Sequence, residues 1–229
     1  SLPETSKSYH YKFLSKKYNS SGGLHVGNNI FSKNIYYQKY LPGKTYSISF
    51  IANGEYSKIL GLNQLFLVKD NIKFPFLHSG AMNLGLSEAN IDFPKDFIFS
   101  ICNLYQIKGY CSIDFKIIDN EIYILDFNPR LSSSYRLYTR KYENLMHHHL
   151  GLIDNELNMI SKQYYAYIIL YAKKDLVISD SINEIENISD RPTIGDSIKK
   201  DMPLFTINLH SNNKDDILFK IKNRIISAM

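Results

Sequence analysis

Short runs rich in apolar and aromatic residues, separated by turn-forming polar clusters, recur through the first 70 residues and predict strands there. Residues 11–16, 36–41 and 45–52 are such runs, and 56–68 follows after Asn53-Gly54, so the last two form a hairpin. The polar cluster Asn19-Ser20-Ser21-Gly22-Gly23 reads as a turn-forming loop behind the first strand. Beyond Pro94 the period lengthens: Phe97, Ile98, Ile101, Leu104 and Tyr105 recur at helical spacing, and Gly109 is expected to end that helix. Residues 110–118 and 121–127 return to the strand pattern on either side of the short Asp119-Asn120 turn. Residues 135–150 are expected to be helical, 164–172 to form a strongly apolar strand, and 215–226 to close the chain as an amphipathic helix. Hairpins mixed with intervening helices, without internal repeats, predict an α+β architecture.

Composition narrows the class of protein. A chain of 229 residues with 44% hydrophobic and 21% charged residues buries a real core and excludes a disordered chain. The formal net charge of +5 suits an anionic small molecule. The longest basic runs are pairs such as Lys16-Lys17 and Lys199-Lys200, too sparse for a dedicated nucleic-acid binder, so no nucleic-acid partner is expected. No apolar stretch reaches the length of a membrane span, and no membrane partner is expected either. Cys102 and Cys111 lack CxxC spacing and no apolar export segment opens the sequence, which predicts a reducing, cytoplasmic setting.

The chemistry concentrates in 109–115 and 124–130. Asp114 and Asp126 stand twelve positions apart across the hairpin, an even spacing expected to set both side chains on one face. Like charges held that close repel, and a hard divalent cation between them reverses the sign; Asn128, two positions beyond Asp126, adds a neutral oxygen. The set Asp114, Asp126 and Asn128 therefore reads as a magnesium site, with Mn²⁺ as the nearest substitute. Mg²⁺ takes few protein ligands and completes its shell with water and phosphate oxygens, which implies a nucleotide alongside. Arg130 supplies a guanidinium that can fork onto phosphoryl oxygens.

With Asp126-Phe127-Asn128-Pro129-Arg130 following Ser112-Ile113-Asp114-Phe115, the sequence resembles the ATP-grasp superfamily, whose metal hairpin ends in Glu-x-Asn-Pro-Arg; Asp126 replaces that Glu. The resemblance implies an ATP-grasp fold of two antiparallel-sheet lobes with helices. Residues 1–75 would form the small lobe, and 76–229 the large lobe with the metal hairpin and a C-terminal β unit around 190–206. It implies further that Lys16 contacts phosphate as a point charge and that the loop containing Ser21, Gly22 and Gly23 covers the triphosphate. Gln38-Lys39-Tyr40-Leu41 resembles the hinge on which adenine rests, main-chain atoms of Lys39 and Leu41 pairing with the base, while Thr45 replaces an acid common at the ribose. ATP and Mg²⁺ are the implied cofactors, and Lys16 and Arg130 the catalytic residues. Such enzymes carry a preceding domain, and the expectation is that an upstream piece was removed, that a separate subunit or a homodimer supplies it, or that the protein has dispensed with it.

The function implied is an ATP-dependent carboxylate–amine ligase, similar to an archaeal and methylotroph one-carbon cofactor group in which some members join tyramine to glutamate. The alternatives are a carboxylase-type synthetase and a noncatalytic nucleotide-binding module or fragment. Three further features carry weaker signals. The run His147-His148-His149 points its side chains about 100° apart on a helix and does not converge on one ion, but His148 or His149 is a candidate proton acceptor behind Arg130. Ser132, Ser133 and Ser134 are candidates for binding a substrate carboxylate, or form a plain polar loop. Cys102 and Cys111 read as small buried hydrophobes.

Overall fold

The computed structural model describes the chain except for residues 19–22, 24–25, 28–33, 69–73, 86–92, 152–155 and 228–229, and the side chains of 223–227. In chain order the strands are β1 (Thr5–Ser6), β2 (Phe13–Lys17), β3 (Val26–Gly27), β4 (Ile35–Lys39), β5 (Thr45–Asn53), β6 (Ser57–Leu67), β7 (His78–Leu84), β8 (Lys108–Ile118), β9 (Glu121–Asn128), β10 (Tyr164–Tyr171), β11 (Leu176–Val177), β12 (Ile188–Ser189), β13 (Ser197–Ile198) and β14 (Pro203–Ser211). The helices are α1 (Lys95–Tyr105), α2 (Leu145–His149) and α3 (Lys214–Ser227). A small sheet has the order β1-β4-β2-β3, a large one β12-β14-β10-β7-β6-β5-β8-β9, and β11 pairs with β13. The described pairings are antiparallel throughout. Sheet membership changes between Lys39 and Thr45: β5 and β6, which fall inside the expected 1–75 lobe, are hydrogen-bonded into the large sheet.

Alternation along β5 and β8 separates the two faces of that sheet. Ile48, Phe50, Ile113 and Phe115 look to one side, where Ile98 and Cys102 of α1 and Ile217 and Ile221 of α3 complete the main core. Each such side chain, taken fully out of water, contributes about 1.5–3 kcal/mol, so this layer anchors the molecule. Ser47, Ser49 and Ile51 look to the other side. There Ile51, Leu60, Ala81, Tyr110 and Tyr167 pack against Leu137, Tyr138, Tyr142 and Leu145. The rest of that face is left open as the floor of a cleft.

Helix α1 departs from expectation in detail. Its buried residues are Ile98 and Cys102, while Phe97, Leu104 and Tyr105 are exposed. It ends at Gln106, which adopts the left-handed conformation at φ 51°, before Gly109 is reached. The expected long helix at 135–150 is a correction of larger scale: a 3-10 turn at Ser133–Leu137, irregular turns, and the five-residue α2. The physical reason is that its polar groups bond outward rather than along a helix. Tyr138 donates to Asn63 Oδ1 at 2.8 Å, Tyr142 to the Leu60 carbonyl at 3.0 Å, and the Glu143 N–H to the Asn158 carbonyl at 2.9 Å. Asn144 then takes a left-handed φ of 52°, which a continuous helix does not admit. At the C-terminal end, β14 pairs with β10 from Tyr164↔Ser211 to Tyr171↔Pro203 within the large sheet.

Candidate active site

The turn between β8 and β9 holds Asp119 and Asn120 at φ 50° and 64°, a hairpin of the tightest kind, and pairs Ile118 with Glu121. Opposed residues of such a hairpin differ by odd numbers, so an unbroken ladder would set Asp114 against Leu125 and turn Asp126 to the other face. A register shift beyond Phe115↔Ile124 prevents this: Asp114 faces Asp126 and Ser112 faces Asn128. The even spacing of the two acids thus shares a face only because β9 carries one extra residue, a β-bulge at Leu125. Leu125 has no partner on β8, and its carbonyl accepts a hydrogen bond from Lys16 Nζ at 3.3 Å.

Burial raises the Asp114 carboxyl to a pKa of about 7, and the charge of Asp126 adds to the rise; the Ser47 hydroxyl, Lys16 and Arg130 pull it back. Ser47 faces Asp114 across the β5–β8 ladder, yet its buried Oγ finds no hydrogen-bond geometry with any described residue. Arg130 Nη2 donates to Asn128 Oδ1 at 3.0 Å and Nη1 to the Leu131 carbonyl at 3.1 Å. The Asn128 oxygen keeps a second lone pair for another partner. Two carboxylates, an amide oxygen and an orphan hydroxyl on one face fit a hard cation that retains several non-protein ligands. Among the described residues no group of three or more His, Cys, Asp or Glu gathers as a metal centre, so the hairpin itself offers two carboxylates and the Asn128 oxygen.

Across the cleft, Lys16 on β2 also donates to Gln38 Oε1 at 3.3 Å and lies 5.8 Å from the Tyr36 ring centroid. Gly23, at φ 82°, lines the same cleft, and a Cβ there would overlap the Phe76 carbonyl. Ser21 and Gly22 lie outside the described residues. Gln38, Lys39, Tyr40, Leu41 and Thr45 all border the cleft, which encloses about 350 Å³. The Lys39 N–H is bonded to the Glu4 carbonyl at 2.9 Å, so among the hinge groups expected to face a base the Lys39 carbonyl and the Leu41 N–H remain. Arg130, Lys16, the hinge and the paired acids therefore converge on one volume.

The family model of the ATP-grasp domain matches residues 2–134, more than half of the chain. The chain belongs to the ATP-grasp family. An uncharacterised protein of Methanocaldococcus jannaschii is 28% identical over 186 residues, which cover 79% of this chain and 43% of that protein. Tyramine–L-glutamate ligase of the same organism is 26% identical over 123 residues, 54% of this chain and 37% of the ligase. The chain thus spans about two fifths of the length of these curated relatives. Among solved structures, L-amino acid ligase from Bacillus licheniformis superposes with a TM-score of 0.74 at 11% identity, covering 100% of this chain and 67% of that one. Carboxyaminoimidazole ribonucleotide synthase from Aspergillus clavatus, complexed with ATP, gives 0.72 at 11%, covering 99% and 68%. These likenesses establish the ATP-grasp fold.

The ATP-grasp cleft also holds residues that sequence reasoning missed: Ser47, His78, Lys116 and Tyr167. His78 Nε2 and the Tyr167 hydroxyl are 2.8 Å apart. Burial, and next the charge of Arg136, lower the His78 pKa to about 4, so the imidazole is neutral at pH 7. No signal marked β7, because His78-Ser79-Gly80-Ala81-Met82 is small and polar rather than alternating. Ser132, Ser133 and Ser134 do line the cleft. A chain of hydroxyls runs from Ser112 to Ser132 (3.1 Å), Ser134 (2.8 Å) and Tyr110 (2.9 Å), and on to Ser49 (2.7 Å). The expectation for His148 or His149 is corrected: neither lines the cleft, and His149 Nδ1 accepts the Tyr110 N–H at 2.9 Å against Gly109. Cys102 and Cys111 are free and buried, the Cys111 thiol pushed up to about 12 by burial. No helix among the described residues is long and apolar enough to cross a membrane.

Proposed function

We propose that this chain is the nucleotide-binding and catalytic part of a ligase that uses ATP to activate a carboxylate and passes the acyl group to an amine, forming a C–N bond. One observation carries the reading: the opposed Asp114 and Asp126, with Asn128 and Arg130, face Lys16 and the Gln38–Leu41 hinge across a single cleft. On this reading the hinge takes the adenine and Lys16 the triphosphate, with Ser21, Gly22 and Gly23 as the expected phosphate-covering residues. Asp114, Asp126 and Asn128 would hold Mg²⁺, which supplies charge neutralisation at the phosphates when bound. A carboxylate oxygen of the acid substrate attacks the γ-phosphorus, ADP leaves, and an acyl phosphate results. Attack by the amine at the acyl carbon then releases phosphate, and the amine loses its proton to solvent. Lys16 and Arg130 act by stabilising phosphoryl charge, and the hydroxyls of Ser132–Ser134 orient the acid. The small sheet with its hinge and the large sheet with its hairpin are the two working lobes.

Glutamate with tyramine is the first substrate pair to try, since the M. jannaschii ligase that carries this name resembles the chain. ADP release measured over a panel of acids and amines, bicarbonate included, separates an amine ligase from a carboxylase-type synthetase. Magnesium-dependent ATP binding with no turnover for any pair would instead support a noncatalytic module. Absence of ATP binding in the presence of Mg²⁺ would remove the proposal altogether.

A further inference from the structure

Lys116 is a buried cation in the cleft for which the reading above has no use. It is 8% exposed, pairs across the ladder with Thr45, and has no carboxylate partner among the described residues. Its ammonium donates to the Leu41 carbonyl at 2.5 Å and the Gly43 carbonyl at 3.0 Å, and sits 5.4 Å from the Tyr40 ring centroid. Burying an unpaired charge is costly, so these hinge contacts are what solvate it.

Their consequence follows from backbone geometry. Lys39 ends β4, and Leu41 precedes Pro42, which confines it to extended conformations. Residues two apart in an extended segment direct their N–H and C=O groups to the same side, so Lys39 and Leu41 present four groups along one edge. The outer donor, the Lys39 N–H, is taken by the Glu4 carbonyl, and the outer acceptor, the Leu41 carbonyl, by Lys116. Between them remain one acceptor, the Lys39 carbonyl, and one donor, the Leu41 N–H.

We propose that Lys116 is a positioning residue that sets nucleobase selectivity: by holding the Leu41 and Gly43 carbonyls away from the base, it leaves the hinge an acceptor–donor pair that a 6-aminopurine satisfies. The 6-amino group donates to the Lys39 carbonyl and N1 accepts from the Leu41 N–H. A 6-oxopurine presents the reverse order on that edge, an acceptor oxygen followed by an N1–H donor, and finds both hinge groups mismatched. Without the ammonium, the Leu41 carbonyl is free to turn toward the cleft and accept from the N1–H, and the discrimination falls. The inference rests on the nucleotide reading of the cleft, adenine on the hinge included, and adds to it the residue that enforces that choice of base.

The test is calorimetric titration of the 229-residue chain with ADP and with inosine diphosphate. Two mismatched hydrogen bonds predict that the wild type prefers ADP by about tenfold or more. Lys116→Met, which keeps the length of the side chain and removes its donors, is expected to bind ADP more weakly and to bring the two nucleotides within about threefold of each other. Lys116→Arg, which keeps donors and charge, retains the preference. Thermal unfolding without nucleotide verifies that each variant is folded. A folded Lys116→Met with the wild-type ADP preference overturns the inference while the nucleotide reading stands, as does a folded Lys116→Arg that loses the preference. A wild type that binds neither nucleotide removes both.

Discussion

His78 and Asp114 are held at opposite departures from their ordinary pKa values, and each makes a separate prediction at the scale of one residue. The unfolded chain takes up a proton on His78 near pH 6.5, whereas the folded chain resists it until about 4. The depressed pKa therefore contributes stability that is fully present above 6.5 and is lost as the pH falls through the window from 6.5 to 4, at most about 3 kcal/mol. Urea unfolding at pH 7 and pH 4.5 should show a smaller acid loss for His78→Gln than for the wild type; equal losses would refute the assignment. Asp114 has the opposite sign, a carboxyl raised by burial and by Asp126. Asp114→Asn removes that repulsion and is expected to stabilise the metal-free chain by on the order of 1 kcal/mol. The same variant should lose the enhancement of ADP binding by Mg²⁺, so calorimetry with and without the metal reads the functional half of the prediction. Asp126 was legible from the Asp-Phe-Asn-Pro-Arg run, and Asp114 from the Ser-Ile-Asp-Phe strand before it. His78 was not, because no neighbour in sequence announces it and its partner Tyr167 stands 89 positions away.

Among the elements, the β8–β9 hairpin shows how little spacing alone decides. Counting positions gives Asp114 and Asp126 an even separation, and the two-residue turn by itself would place them on opposite faces. The bulge at Leu125 resolves that conflict and frees the carbonyl that Lys16 reaches. Two glycines test the strands around the cleft. Gly80, at φ 149°, lies where β7 meets β10, and a Cβ there would overlap the Tyr167 carbonyl. Gly80→Ala is expected to destabilise the whole molecule by about 3 kcal/mol or more, seen as a lowered urea midpoint. Gly23→Ala meets the same kind of overlap at Phe76 but outside the large sheet. Nucleotide affinity should fall for that variant with little change in the global midpoint, and a large global loss would show that Gly23 belongs to the folding core instead. The failed helix at 135–150 has a related origin. The spacing of Tyr138 and Tyr142 suits a helix, but their hydroxyls bond to β6, and tertiary hydrogen bonds outweigh a local preference of tenths of a kcal/mol.

For the molecule as a whole, a small four-stranded sheet over one face of an eight-stranded sheet makes the cleft, and the helices packed on the opposite face carry much of the stability. Ligand binding between the sheets must then stabilise the fold by mass action. Mg·ATP at one hundred times its Kd contributes about 2.7 kcal/mol, which for a chain of this size raises the unfolding midpoint by roughly 5–10 °C. Thermal melts with Mg·ATP, ATP with a chelator, and neither check this, and identical midpoints in all three would contradict a nucleotide site in the cleft. The sequence by itself determined the strand-rich architecture, the hairpin, the chemistry of its acids and the family they resemble, because periodicity and local motifs are properties of neighbouring residues. Only the tertiary structure decided which acids share a face, which hinge carbonyls Lys116 occupies, and that His78 rather than His148 or His149 enters the cleft. Those outcomes depend on register, on a one-residue bulge and on contacts across tens of positions, none of which a run of residues specifies on its own.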